Sequence, residues 1–343
     1  MSALTVAAFP RSLRGNPYCD LLYSGVTSRG TRVVDGAELS LGWVLRNRHD
    51  VQVLHLHWPE LYYRGRGGRV TARSAAGFVA VLAAARLCGY RIVWTVHNAL
   101  PHERRTRADR LLRWVLCRTA RLVVHAESAR RELAGAGRTA AVVPHGHYIG
   151  AYPHDVDETT ARARFGIAPG ERVFLCFGQL RAYKGIPELL AAFRALRRPD
   201  VRLVVAGKPV DRAVADLVAA AAARDPRIVA HLAHVDDADV QHYFEAADWV
   251  VLPYREVLTS GSALLALSFE RPVVAPRRGC LAELERSDGV LAYEPDAPNA
   301  LALALAEAAH TDARAWRPRA RDTARRFDWD GIARAYDRIF AGG

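Results

Sequence analysis

Residues 172–196 read Arg-Val-Phe-Leu-Cys-Phe-Gly-Gln-Leu-Arg-Ala-Tyr-Lys-Gly-Ile-Pro-Glu-Leu-Leu-Ala-Ala-Phe-Arg-Ala-Leu. The run 172–177 is short, apolar and stopped by a glycine, which predicts a buried strand. From Ile186 the apolar residues recur at helical spacing, which predicts a helix over 186–196. The turn between them holds Gly178, where the backbone can approach a ligand closely. It also holds Arg181 and Lys184, next to a helix amino terminus that itself attracts anions. That arrangement suits a diphosphate. The plainer reading is a solvated turn with two chance cations.

The same alternation continues in both directions. In the first half the predicted strands are 4–9, 32–34, 51–55, 91–95, 121–125 and 140–143. Helices are predicted over 18–29, 72–87, 107–116 and 128–133. Residues 148–170 carry Tyr-Pro, His-Asp and Pro-Gly steps, the chemistry of turns, with a short helix at 158–165. A second series follows, with strands 172–177, 201–206, 227–232, 249–252, 272–275 and 290–293. Its helices are 186–196, 212–223, 237–246, 262–269 and 299–310. Strands alternating with helices imply parallel α/β layers, whose ligands bind beyond the carboxyl ends of the strands. The predicted fold class is α/β, with two facing Rossmann-like domains and a C-terminal helix. The predicted boundaries are 1–150, a linker at 151–170, a second domain at 171–322 and the helix at 323–343. In that helix Trp329, Ile332, Tyr336 and Ile339 form a stripe that reads as packing.

A chain of 343 residues, half of them hydrophobic, supports two cores of ordinary size. The net charge of +12 comes almost wholly from arginine. No basic run is interleaved with aromatics as in a nucleic-acid module, so no nucleic-acid partner is expected. The five cysteines form no CxxC pair and read as buried reduced thiols of a cytosolic protein. No apolar run reaches the roughly 20 residues that a spanning helix needs.

A second phosphate-facing segment runs from Leu252 to Ser262, with Thr259, Ser260, Gly261 and Ser262 opening the next helix. Thr and Ser cap helices well, and their hydroxyls with the exposed N–H groups can hold phosphate oxygens. An ordinary capped helix explains the same residues.

Together these motifs resemble the donor domain of GT-B glycosyltransferases, within the large clan that includes the family-4 sugar transferases. The resemblance rests on Phe177-Gly178 followed by Lys184-Gly185-Ile186, on Val204-Val205-Ala206-Gly207, on Ala247-Asp248-Trp249-Val250-Val251-Leu252-Pro253-Tyr254, and on Arg271-Pro272-Val273-Val274-Ala275-Pro276. It spans about residues 171–340. It implies that Arg181 and Lys184 bind the donor diphosphate and that the turn 259–262 touches the donor phosphates or sugar. It also places His234 and Val235 near the nucleotide base. The chain departs from the clan in two places. Gln179 stands where the clan has arginine. Val257 and Leu265 stand where retaining members carry two glutamates. Glu256 and Glu270 lie nearby, but neighbouring helix positions differ by about 100°, so they are wrongly phased. The Thr-Ser-Gly-Ser version is similar to bacterial GDP-mannose:glycolipid 4-β-mannosyltransferases, which invert.

The first half offers polar clusters at strand ends. Asn16 and Tyr18 follow the first strand. His55, His57, Trp58 and Glu60 follow the third. His97, Asn98 and Glu103 follow the fourth, and His145 and His147 end the sixth. A histidine at a strand end can act as a general base near neutral pH, although a lone histidine is usually structural. The resemblance places His97 and Asn98 beside the donor sugar. His97 is therefore the expected base, with Glu60 and Glu103 as rivals. Asn16, Tyr18, His57, Trp58, Asn98, His145 and His147 are expected on the acceptor. No metal is expected: His55 and His57 share a strand face but lack a third ligand in register. Residues 102–121 pack seven arginines with Leu111, Leu112, Trp114, Val115 and Leu116. They read as a solvated helix face or, alternatively, as a basic amphipathic surface resting on anionic lipid.

The expected function is a metal-independent, inverting transfer of a hexose such as mannose from a nucleotide-sugar to a sugar or glycolipid acceptor, in polysaccharide assembly. The nucleotide-sugar, GDP-mannose for instance, serves as co-substrate. The expected location is the cytoplasm, with peripheral contact at the inner membrane face. The alternatives are a soluble natural-product acceptor, a sugar-nucleotide epimerase, or a non-catalytic nucleotide-binding module.

Overall fold

The computed structural model of the chain describes residues 4–65, 68–97, 106–135, 137–284 and 289–343. Its first six strands are β1 (Thr5–Phe9), β2 (Arg32–Asp35), β3 (Val53–Leu56), β4 (Arg91–Thr95), β5 (Arg121–Val124) and β6 (Ala140–Val142). The second six are β7 (Arg172–Phe177), β8 (Val201–Ala206), β9 (Ile228–His231), β10 (Trp249–Val251), β11 (Val273–Pro276) and β12 (Val290–Tyr293). The helices of the first series are α1 (Tyr18–Ser28), α2 (Leu41–Arg46), α3 (Glu60–Tyr63), α4 (Ala72–Leu87), α5 (Arg107–Thr119) and α6 (Glu127–Gly135). Those that follow are α7 (Glu158–Arg164), α8 (Ile186–Ala195), α9 (Arg212–Arg224), α10 (Val240–Ala246), α11 (Gly261–Ser268), α12 (Gly279–Leu284), α13 (Ala300–His310), α14 (Arg317–Arg325) and α15 (Trp329–Ala341).

Each sheet has six parallel strands, in the orders β2-β1-β3-β4-β5-β6 and β12-β11-β10-β7-β8-β9. The strand order reverses direction beside β1 in the first sheet and beside β7 in the second. Loops at such switch points form the ligand crevice of doubly wound sheets. Here those loops carry Tyr18 and the turn from Gly178 to Lys184.

The chain divides into two compact units, Met1–Gly146 with Asp328–Gly343, and His147–Phe327. Residues 151–170, expected as a linker, pack within the second unit. His154 Nε2 lies 2.7 Å from Glu245 Oε1, and the Gln241 side chain accepts from the N–H groups of Asp155 and Val156. The helix expected over 323–343 is two helices. Asp328 breaks the run and caps α15, its side chain accepting from Gly331 N at 2.7 Å. α2 escaped the sequence reading because it is only six residues long. Its start is set by the Ser40 hydroxyl, which accepts from Trp43 N.

α15 completes the first unit. It lies on α1 so closely that a β-carbon at Gly25 would sit 3.2 Å from Ala333 Cβ. Asp337 accepts from Arg29 and Thr31, and Arg91 donates to the carbonyl of Ala341. Between sheet and helices, Val6, Val53, Val93, Val123 and Val143 meet Leu22 and Val26 of α1 and Ile332, Ile339 and Phe340 of α15. In the second unit Phe174, Leu203, Val205 and Trp249 pack against Leu189 and Phe193 of α8 and Leu305 of α13.

Asp248, buried at the start of β10, anchors the second unit. It accepts from Arg162 at 3.0 Å, Arg172 at 3.0 Å and Val173 N at 2.8 Å. Removing one partner of a buried pair strands the other charge, at a cost of about 3–5 kcal/mol. Asp248→Ala is therefore expected to lose about 3 kcal/mol in urea unfolding. A loss below about 0.5 kcal/mol, the range of ordinary surface changes, contradicts this assignment.

Candidate functional site

Alternation along parallel strands assembles the polar cluster of the first unit. Side chains two apart share a face. The apolar rows Val53, Val93, Val123 and Val143 therefore continue, on the face covered by α1 and α15, into His55 and His57, Thr95 and His97, His125, and His145. All five histidines are buried. Tyr18, the first residue of α1, stands among them. Its ring is edge-on to His57, His97 and His125 and 4.7 Å from the ring of His145. Trp58 stacks on His97 with ring centroids 4.4 Å apart.

Burial governs the charge state of this cluster. Desolvation, reinforced by the neighbouring imidazoles, holds His55, His57 and His97 well below the usual histidine pKa. Desolvation also lowers His125 to about 4 and His145 to about 3. The five rings are neutral at neutral pH, the form in which an imidazole accepts a proton. Among the described residues, no group of three or more His, Cys, Asp or Glu is placed to hold a metal ion.

The second unit presents a different kind of site. Gly178 ends β7 with φ of +102°, a conformation that side chains rarely adopt. A β-carbon there would lie 3.3 Å from Lys184 Nζ and 3.9 Å from Ser262 Oγ, so the glycine leaves that space open beside both groups. Lys184 is buried and sits over the Tyr254 ring at 5.5 Å. No hydrogen bond or ion pair reaches its ammonium among the described residues. Desolvation lowers its pKa. Gly185, with φ of +68°, fixes the turn: a β-carbon would sit 1.9 Å from the carbonyl oxygen of Pro253. Ser260 caps α11 by accepting from Ala263 N, and the hydroxyl of Thr259 is buried without a partner among the described residues. Arg181 is held by the side-chain oxygen of Gln179 at 2.9 Å, the residue that replaces the arginine of the related clan.

The structure thus gathers Tyr18, His57, Trp58, His97 and His145 in one place, and Gly178, Lys184, Ser260 and Ser262 in another. Asn16 accepts from Tyr18 N and shapes the entry to α1. Glu60 opens α3 and is half-buried. His147 belongs to the second unit, where its N–H donates to Phe327 O and its Nδ1 accepts from Ile149 N. Gly261 opens α11. His234 is exposed, 3.7 Å from Asp236, and Val235 is buried. Asn98 and Glu103 lie outside the described residues. Val257 and Leu265 present apolar side chains, and Glu270 pairs with Arg321. Sequence reasoning missed His125 and Thr95 as site residues and gave Tyr23 and Tyr336 no polar role. The repeated Val-x-His and Val-x-Thr-x-His spacing at successive strand ends was the available signal.

The model for glycosyl transferases group 1 matches residues 171–311. Two proteins of Xanthomonas campestris pv. campestris, both named GDP-mannose:glycolipid 4-beta-D-mannosyltransferase, align with the chain. One is 32% identical over 330 residues, covering 95% of this chain and 88% of the relative. The other is 35% identical over 263 residues, covering 76% and 70%. Among solved structures, Anabaena Alr3699/HepE in complex with UDP superposes with a TM-score of 0.74 at 17% identity, over 100% of both chains. Sucrose-phosphate synthase from Thermosynechococcus elongatus gives 0.71 at 16% identity, over 99% and 100%. These likenesses bear out the α/β GT-B class read from the sequence.

Lys184 allows a test with two readouts. Its folded pKa lies below the ordinary value of 10.5. The burial penalty is thus complete below the folded pKa and vanishes as pH rises past the unfolded value. Lys184→Met is expected to raise the melting temperature at pH 7, by a margin that shrinks as pH rises toward about 10.5 and is gone above it. The same variant should weaken nucleoside diphosphate binding by about 10–100-fold in calorimetry, the worth of a charge-assisted contact. Undiminished binding removes Lys184 from the phosphate site.

Proposed function

The chain belongs to the group 1 glycosyl transferases, and on that premise we propose that it transfers a mannosyl residue from GDP-mannose to a glycolipid acceptor with inversion. That it is a nucleotide-sugar-dependent glycosyltransferase follows from the family; the sugar, the nucleotide, the acceptor and the stereochemistry are the proposal. The sugar and acceptor follow the relatives aligned over most of this chain. The observation that carries the mechanism is the buried Lys184, whose ammonium no hydrogen bond or ion pair reaches among the described residues, beside Gly178 and Ser262.

In this reading Lys184, Arg181 and the opening of α11 receive the diphosphate. Charge grows on the diphosphate as the glycosidic bond breaks, so fixed cations and N–H groups stabilise the transition state more than the bound donor. No metal or other cofactor enters the scheme. His234 and Val235 lie toward the nucleotide base. His97 accepts the proton of the attacking hydroxyl, and Tyr18, His57, Trp58 and His145 line the acceptor side. Apolar Val257 and Leu265 supply no carboxylate of the kind retaining members use, which supports inversion.

A peripheral contact with anionic membrane belongs to the same proposal. α5 exposes Leu111 and Trp114 among Arg107, Arg110 and Arg118, and the Arg118 guanidinium lies 4.4 Å over the Trp114 ring. An apolar ridge flanked by arginine suits the headgroup boundary of anionic lipid. No helix among the described residues is long and apolar enough to cross a membrane.

Incubation with a panel of nucleotide-sugars and lipid-linked acceptors, with the product's anomeric signals read by NMR, is expected to give β-linked mannose from GDP-mannose. An α-linked product overturns inversion, and donor conversion without acceptor overturns transfer. In flotation with phosphatidylglycerol vesicles, the double change Leu111→Ser and Trp114→Ser should cut binding about tenfold or more. Equal binding by the wild type and the double variant removes α5 from the membrane contact.

A further inference from the structure

One continuous chain of hydrogen bonds runs through the core of the first unit, and it joins residues distant in sequence. Tyr18 and Tyr336 share their hydroxyls at 3.3 Å, and Tyr336 reaches Thr95 Oγ1 at 2.8 Å. Thr95 Oγ1 meets His55 Nε2 at 2.8 Å. His55 Nδ1 meets the Tyr23 hydroxyl at 2.8 Å, and that hydroxyl meets His57 Nε2 at 2.7 Å. Finally His57 Nδ1 meets His97 Nε2 at 3.0 Å. Every member is buried.

The proton count along this chain leaves little freedom. A neutral imidazole has one N–H and one bare nitrogen, and a hydroxyl has one proton to donate. Burial keeps these histidines neutral. The Tyr23 hydroxyl, bonded to two imidazole nitrogens, donates to one and accepts from the other. If His57 carries its proton on Nε2, it donates to Tyr23, and Tyr23 donates to a bare His55 Nδ1. His55 then carries its proton on Nε2 and donates it to Thr95. In the same state the bare His57 Nδ1 accepts from His97 Nε2. Reversing any single link reverses all of them.

We propose that His55, His57 and His97 share one tautomer, coupled through the Tyr23 hydroxyl, and that His97 can accept a proton only when all three are protonated on Nε2. In that state Nδ1 of His97 is bare; in the reverse state it carries the proton. Tyr23 is thus a positioning residue that acts on His97 through His57.

The inference rests on the reading of His97 as the proton acceptor, and it explains how so buried a base can work. The acceptor O–H bond breaks and its proton goes to His97 Nδ1. The oxygen's electron pair forms the bond to the anomeric carbon, and the bond from that carbon to the diphosphate breaks, its pair leaving with the diphosphate. The imidazolium can then pass its Nε2 proton to His57 and, through Tyr23, a proton to His55. The charge is shared over three rings; when the relayed protons shift back, solvent takes the Nδ1 proton of His97, which restores the Nε2 tautomer. Such sharing lessens the cost of a charge in a buried place.

The test is two-bond proton–nitrogen NMR of the full chain labelled with ¹⁵N-histidine, at neutral pH. His125 and His145 serve as internal standards, because carbonyl acceptors at 2.8 Å fix their proton on Nδ1. The expected result is one tautomer common to His55, His57 and His97. Thr95→Val, which leaves the Tyr23 link intact, should preserve that match. Tyr23→Phe should abolish it, and should lower kcat about tenfold or more, within the usual worth of general-base catalysis, with the donor KM unchanged. A wild-type protein with His55 on Nδ1 and His97 on Nε2 overturns the proposal, as does a match that survives Tyr23→Phe. The spectrum needs no turnover, so the coupling can fail while sugar transfer stands, or stand while sugar transfer fails.

Discussion

Parallel pairing brings every strand of a sheet to an end at the same edge, and the chemistry of this protein depends on that constraint. Side chains alternate along each strand, so an apolar row in the core continues into whatever the next same-face residues are. In the first sheet those residues are histidines and a threonine; in the second, the strand end is a glycine and an open turn. One architecture thereby produces two sites of opposite character. The first unit buries neutral groups joined by hydrogen bonds. The second buries a fixed positive charge.

Both sites carry an energetic debt that the surrounding fold must offset. Buried polar atoms need partners, and the histidine–tyrosine chain satisfies nearly all of its own. Outside that chain, His125 Nε2 and, in the second unit, the Thr259 hydroxyl are buried with no partner among the described residues. Buried charges elsewhere in the second unit are paired. Arg271 reaches Glu245, and Asp248 collects two arginines. Set against that pattern, the ammonium of Lys184, with no ion pair among the described residues, is the departure on which the proposed anion site rests.

Most of the fold was legible in the sequence because parallel strands are short apolar runs with sharp ends. The strands at 91–95, 172–177, 201–206 and 290–293 begin and end where the pattern places them. Short helices were harder: α2, α3 and α12 each have too few residues to show a period. The strand expected from residue 51 starts at Val53 because Val51 N closes the turn after α2 by bonding Asn47 O. In the second unit, the turn that holds Gly178, Arg181 and Lys184 was readable as a break between strand and helix, since a glycine ends the apolar run there. The histidine cluster was only half readable. Alternation places His55 and His57 on one face, but no local pattern reveals that Tyr23, Thr95 and Tyr336 join them. Those contacts span 32 to 241 residues of sequence.

The return of α15 to the first unit also bears on how the protein is made. Ile332, Tyr336, Ile339 and Phe340 fill the same apolar layer as Val6 and Val53. On the ribosome, the amino-terminal half must therefore wait with that layer uncovered while the whole of the second unit is translated. That layer is closed only after residues 329–341 have followed the second unit out of the ribosome.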